Sequence, residues 1–307
     1  MGHFGAAGRE IGWFVLSRIY RWARREDDLG KLYHVADALG RLAQEIVRAR
    51  KKIFEDNVAA AFPDWSASAR ARLIKAVIRE QCRNIVDIFY YTSRPGMLKE
   101  RLRVENPEVL DDALAIGKGI ILATGHVGMF PFVGIPLVWK DIPYSVVERP
   151  PHDERVARLL DCVRDDFSII SIPDRPPQTA SRMMLRVLRD NGGILMPLDI
   201  HPGADGGPAV EFLGRKTLMF SGPARIAAKT GAPVVCVRTF REEDGYNYRL
   251  RYWPAKFVPR EAADGNSEAA REAVADMSEW LSGVIREAPE QWLWMHRRWR
   301  AEDVRER

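Results

Sequence analysis

Apolar residues recur at three- and four-residue spacing from Leu29 to about Tyr91, as in Leu32, Val35, Ala36, Leu39 and again in Leu73, Val77, Ile78, Ile85, Ile88, Phe89. That spacing predicts helices with one apolar face. Phe62-Pro63-Asp64-Trp65-Ser66 interrupts the pattern. Proline ends the helix before it, and the Ser66 hydroxyl can cap the next one. At Asn106-Pro107 the period changes. Short β-rich runs follow at Gly119 to Thr124, Tyr144 to Val147, Phe167 to Ile170, Gly193 to Met196 and Pro233 to Val237, with helical patterns at 153–164, 178–190 and 221–230 between them. Apolar runs without polar alternation belong to strands covered on both faces, the setting of parallel strands between helices. Tyr246 to Trp253 alternates as a half-exposed strand does, and 266–287 predicts a closing helix. The expected fold is α/β: a mixed, partly parallel sheet flanked by helices, with a helical N-terminal segment. Three parts are expected within one continuous domain, at 1–28, 29–105 and 106–307, because no repeat or long linker separates them.

The first 28 residues carry a different signal. Wound as a helix, Ile11, Val15, Ile19 and Trp22 form one stripe bordered by Arg18, Arg21 and Arg25. The longest apolar run, Ile11 to Leu16, has six residues, against about 20 for a membrane span and about 7 for the core of a signal peptide. Two settings fit such a stripe: a helix lying in a membrane surface, or one packed on the protein's own core with its arginines reaching outward. The opening MGHFGA lacks the Ser or Thr at position 6 of a myristoylation signal, so Gly2 is expected to be unmodified.

Composition narrows the classes. With 307 residues, 46% hydrophobic and 29% charged, the chain can bury a large core, which excludes disorder and fibrous repeats. The net charge of +5 is the difference between 47 basic and 42 acidic residues. So small a difference is no sign of a nucleic-acid partner, and none is expected; the excess gathers in residues 1–25, where Arg9, Arg18, Arg21, Arg24 and Arg25 stand against Glu10 alone. Cys82, Cys162 and Cys236 are far apart and odd in number, which suggests a reducing compartment and no zinc site.

Open α/β sheets bind ligands beyond the carboxyl ends of their strands. The first buried strand leads to Gly125-His126-Val127-Gly128-Met129-Phe130-Pro131. A neutral imidazole between two glycines at such a position can take a proton from an attacking hydroxyl or amine, or it can cap the next helix. The run at 194–198 leads to Asp199 and a glycine-rich loop. That carboxylate either meets His126 across the top of the sheet or pins its own loop. Arg149 follows Glu148 at a third strand end and Arg164 lies on the next helix; both suit a phosphate, a thioester oxygen or an ion pair. No G-x-S-x-G elbow, phosphate loop, dinucleotide turn or metal-ligand spacing occurs. Pro289 to Arg300 is dense in tryptophan and arginine, as suits either a lipid headgroup zone or indoles stitched into the core.

The order of these segments resembles that of the bacterial lipid A biosynthesis acyltransferases (the lauroyl and myristoyl transferases) and of their mycobacterial relatives acting on phosphatidylinositol mannosides, within the lysophospholipid acyltransferase superfamily. The likeness runs through Lys51-Lys52-Ile53 to Ala61-Phe62-Pro63, Gly119 to Gly128, Glu148-Arg149-Pro150, Phe212-Leu213-Gly214-Arg215 with Ser221 to Arg225, Thr230 to Val235, and Pro289-Glu290-Gln291-Trp292-Leu293-Trp294. It implies transfer of a fatty acyl group from acyl carrier protein or acyl-coenzyme A to a lipid hydroxyl, at the cytoplasmic face of the inner membrane or in the cytoplasm. No cofactor beyond that co-substrate is implied. The catalytic histidine falls on His126, with Asp199 as the acidic strand-end residue. Arg149, Arg164, Gly128, Phe130, Glu211 and Arg225 are the expected substrate-binding positions.

One position departs from the family pattern. The fifth residue after the histidine is Pro131 in place of Asp or Glu, and proline cannot orient an imidazole. Three readings follow: another carboxylate takes over, Asp199 first and Glu211 or Glu148 next; the acceptor is an amine, which needs less activation; or the protein is a non-catalytic relative that binds acyl chains or carrier protein, with Met129 to Val133 as pocket wall.

Overall fold

The computed structural model describes residues 6–46, 48–203 and 206–300; Gly2 lies outside them. The first third is helical, in α1 (Ala6–Ala23), α2 (Leu29–Ile46), α3 (Arg48–Ala61) and α4 (Ala67–Thr92). Ser66 caps α4 as expected, its hydroxyl accepting from the Ala69 N–H at 3.2 Å. After α5 (Pro95–Arg101), β1 (Leu102–Glu105) and α6 (Pro107–Ala115), strands and helices alternate through β2 (Ile120–Thr124), α7 (Ile135–Val138), β3 (Tyr144–Glu148), α8 (Glu154–Asp166), β4 (Ile169–Pro173), α9 (Pro177–Arg189) and β5 (Gly193–Pro197). A hairpin of β6 (Ala209–Phe212) and β7 (Arg215–Leu218) precedes α10 (Gly222–Thr230), β8 (Val234–Arg241), β9 (Tyr248–Tyr252) and α11 (Glu268–Glu287).

Seven strands form one sheet in the order β1-β9-β8-β2-β5-β3-β4. Every neighbouring pair is parallel except β8 with β9, so the sheet is mixed and largely parallel, as the patterns predict. The central strand explains its own unbroken apolar sequence. Ile120 and Leu122 face a core built with Leu32, Phe89, Tyr91 and Phe132, whereas Ile121 and Ala123 face a second core with Phe54, Leu73, Ala180, Leu281 and Trp292.

Two local expectations are corrected, and one choice between two settings is decided. Leu102-Arg-Val-Glu, ahead of the change of texture at Asn106, is an edge strand, its alternation too short to register beside a helix. The run at Phe167 enters the sheet only at Ile169, because Phe167 ends α8 and Ser168 turns the chain at φ 53°. Of the two settings named for Pro289–Arg300, indoles stitched into the core is the one found at Trp292, 1% exposed, and at Trp294, fully buried with Arg298, while Trp299 is half-buried.

On α1, Trp13, Leu16, Tyr20 and Ala23 turn toward the first core, while Ile11, Phe14 and Val15 are exposed. The helix is fixed by the Glu10 carboxylate, which accepts two bonds from the Arg155 guanidinium at 2.8 and 3.0 Å. Its outer face and α2 form an open groove lined by Phe14, Val15, Ile19, Trp22, Val35 and Leu39 and bordered by Arg18, Arg21 and Arg25. No helix among the described residues is long and apolar enough to cross a membrane.

Candidate active site

β2 and β5 run side by side in register, with Thr124 opposite Pro197, and the Leu198 N–H donating to the Thr124 carbonyl extends the pairing past the strands. Two residues beyond that last pair on each strand stand His126 and Asp199. The His126 ring meets Asp199 at 2.8 Å between Nδ1 and Oδ1, and the His126 backbone N–H donates to Oδ2 at 2.9 Å. Because the carboxylate only accepts, Nδ1 carries the proton and the Nε2 lone pair is left for chemistry.

Asp199 is 1% exposed. Burial raises the pKa of a carboxyl, but the charge of His126, with hydrogen bonds from His126 and from the Trp292 indole, holds Asp199 well below the ordinary range. Burial lowers the His126 pKa, yet the charge and hydrogen bond of Asp199 outweigh it and the net shift is upward. An ionised acid and a histidine of raised basicity therefore share a mostly buried site.

The loop that carries His126 is seated on all sides. The Leu293 N–H donates to the His126 carbonyl at 3.0 Å, Val127 bridges Trp292, and the Gly128 N–H donates to the Gln291 carbonyl at 2.8 Å. Gly128 has φ 55°, and a Cβ there would lie 2.1 Å from the Thr239 carbonyl oxygen, so only glycine lets the loop rest on β8. Its own carbonyl accepts from Asn84 Nδ2 at 3.3 Å, and Asn84 Oδ1 accepts from Arg241 at 2.8 Å. Arg241 is buried against Asp87 and Glu80. Phe130 lays its ring edge-on to His126 at 4.7 Å.

The remaining expected residues lie apart from this pair. Pro131 enters a 3-10 turn, and its carbonyl accepts from the Tyr144 hydroxyl at 3.2 Å. Arg164 is bonded to Glu148 at 2.8 Å and to Asp161 at 2.6 Å, and Glu148 also accepts from Ser171. Arg149 is exposed and bonds Asp174. These groups gather at the β3–β4 edge of the sheet. Glu211 is exposed on the hairpin opposite Lys216, and Arg225 is exposed on α10 beside Gly265. Of the three carboxylates named as replacements for position 131, Asp199 is the one at the histidine.

Two residues at the site are absent from the sequence-derived set. The Trp292 indole N–H donates to Asp199 Oδ2 at 2.7 Å, and the His296 ring lies 5.3 Å from that of His126. The signal available for Trp292 was its placement two residues before Trp294, an alternation that suits an extended buried segment better than an amphipathic helix.

A mostly parallel sheet with a histidine–carboxylate pair at adjacent strand ends makes this an α/β protein whose site is suited to acid–base chemistry. Residues 28–301 match the family described as bacterial lipid A biosynthesis acyltransferase, and the chain belongs to that family. Among its relatives is the phosphatidylinositol mannoside acyltransferase of Mycolicibacterium smegmatis, 28% identical over 211 residues, which are 67% of this chain and 65% of the relative. The match to the corresponding Mycobacterium tuberculosis protein is 27% identical and covers 63% of this chain and 58% of the relative, so it too spans less than two thirds of the relative's length. The lipid A biosynthesis palmitoleoyltransferase of Escherichia coli is 22% identical over 305 residues, 96% of this chain and 93% of the relative.

Proposed function

We propose that the protein transfers a fatty acyl group from an acyl thioester, carried by coenzyme A or acyl carrier protein, to a hydroxyl of a lipid or glycolipid, with His126 as general base. The observation that carries this reading is the Asp199–His126 bond at 2.8 Å, which leaves Nε2 unprotonated. Family membership and the names of the relatives point to the same chemistry.

In the proposed reaction the acceptor hydroxyl gives its proton to His126 Nε2 as its oxygen bonds the thioester carbonyl carbon. Asp199 stabilises the resulting imidazolium. Collapse of the tetrahedral intermediate breaks the carbon–sulfur bond, and the imidazolium returns the proton to the departing thiolate. The products are an ester and a free thiol. An amine acceptor and a non-catalytic role were both suggested by the missing acid at position 131; with Asp199 in its place, the hydroxyl reaction needs neither. We place the site at a membrane surface held peripherally through Ile11, Phe14 and Val15, with Arg18, Arg21 and Arg25 toward anionic headgroups.

The test incubates the full chain with acyl-coenzyme A or acyl carrier protein thioesters and with lipid hydroxyl or amine acceptors, and follows products by mass spectrometry. The expected product is an ester cleaved by mild alkali, with His126→Ala lowering the rate by about a thousandfold or more. An alkali-stable amide would establish the amine reaction instead. Bound acyl chains without turnover from any donor would establish a binding protein.

A further inference from the structure

Asp199 uses its two oxygens differently. Oδ1 accepts from the His126 ring, whereas Oδ2 accepts two N–H groups, from the His126 backbone at 2.9 Å and the Trp292 indole at 2.7 Å. A carboxylate bonded only through Oδ1 can turn about its Cβ–Cγ bond and tilt away from the imidazole plane. Donors on Oδ2 stop that rotation.

The indole is built to hold its place. Trp292 is 1% exposed and has a single donor, which without Asp199 would be buried and unpaired. Its ring packs edge-on against Phe212 at 5.7 Å and Trp294 at 4.5 Å. Its backbone bridges Val127, next to the histidine itself. Farther along this segment, Pro289–Arg300, which lies against the His126 loop as a strap, the buried Asn57 amide donates to the carbonyls of Trp294 at 2.8 Å and His296 at 2.6 Å, tying it to α3.

We propose that Trp292 is a positioning residue for the acyl-transfer step, its indole N–H fixing Asp199 so that Oδ1 stays in line with the His126 ring. The assignment rests on His126 being the general base. Because the indole also draws on the charge of Asp199, it tempers the pull of the carboxylate on the His126 proton. Among the described residues, the titratable groups packed against His126 are Asp199, from the loop after β5, and His296, from the strap.

The decisive variant replaces Trp292 with β-(3-benzothienyl)alanine, which keeps the fused-ring shape and has sulfur in place of N–H; Trp292→Phe is made alongside. The expected result for the isostere is a fall in kcat of about tenfold to a hundredfold, with KM within about twofold. The acid limb of kcat/KM is expected to move up by about half a pH unit, and the His126 ring titration followed by nitrogen NMR should move with it. An isostere with wild-type kcat and an unmoved limb would overturn the proposal, whatever Trp292→Phe does, because packing alone would then account for the tryptophan. His126→Ala separates the two readings: if it keeps its activity the general-base assignment fails, and if it is inactive while the isostere behaves as wild type, only the role of Trp292 fails.

Discussion

Asp199 faces His126 because each lies two residues past the last paired positions, Thr124 and Pro197, of adjacent parallel strands. The carboxylate at the histidine lies 73 residues downstream of it in the chain, whereas the position five residues after His126 is Pro131. Strand register, and no local turn of chain, brings the two side chains together.

Asp199→Asn removes the charge that stabilises the imidazolium and sets an amide group among three N–H donors. The expected loss in kcat is about 10³- to 10⁴-fold, read by steady-state kinetics on protein whose circular dichroism matches wild type. Undiminished turnover would reject Asp199 as the partner of the base.

The raised pKa of His126 fixes the direction of the pH dependence. A general base works only when neutral, so kcat/KM should rise with pH through a midpoint above the ordinary histidine value of about 6.5. Asp199, held low, stays ionised across that range. In Asp199→Asn the residual activity should titrate at lower pH than wild type, since burial is then unopposed. A wild-type midpoint below about 6 would contradict the assignment.

Much of this was legible in advance. Buried parallel strands announce themselves as apolar runs, which is why β2, β3, β5 and β8 match their expected places, and a histidine between glycines at a strand end marks a site. Strand order is another matter. Nothing in the local sequence says that β5 pairs with β2, so Asp199 stood first among three candidate carboxylates on its strand-end position alone until register set it beside His126. Short elements such as β1 and the β6–β7 hairpin carry too few residues for a period. The tryptophans of the Pro289–Arg300 segment read as amphipathic because a pattern of indoles and guanidiniums looks the same whether it meets lipid or the protein's own interior.

Asn57→Leu should loosen the strap. Two buried carbonyls, on Trp294 and His296, lose their donors, and the expected destabilisation is about 2–4 kcal/mol, measured by urea unfolding. A change below about 0.5 kcal/mol would mean that water satisfies those carbonyls and the strap is held elsewhere.

Reversing the border charges of the groove between α1 and α2, as in Arg18→Glu, Arg21→Glu and Arg25→Glu together, should weaken sedimentation with phosphatidylglycerol vesicles by about tenfold or more at low salt. Folding should be little affected, because those side chains are exposed. Vesicle binding equal to that of the parent, or unaffected by salt, would remove the electrostatic part of the membrane attachment.

The contacts between the His126 loop and the strap also bear on the order in which the site is completed. Gly128 and Gln291, His126 and Leu293, Val127 and Trp292 all join across more than half the length of the sequence. Such distant pairings form late, since a long loop must close first. A growing chain can fold its first helices and pair β2 with β5 while Asp199 still lacks the Trp292 indole. The His126 loop is therefore fully seated only once the Gln291–Leu293 segment has closed onto it.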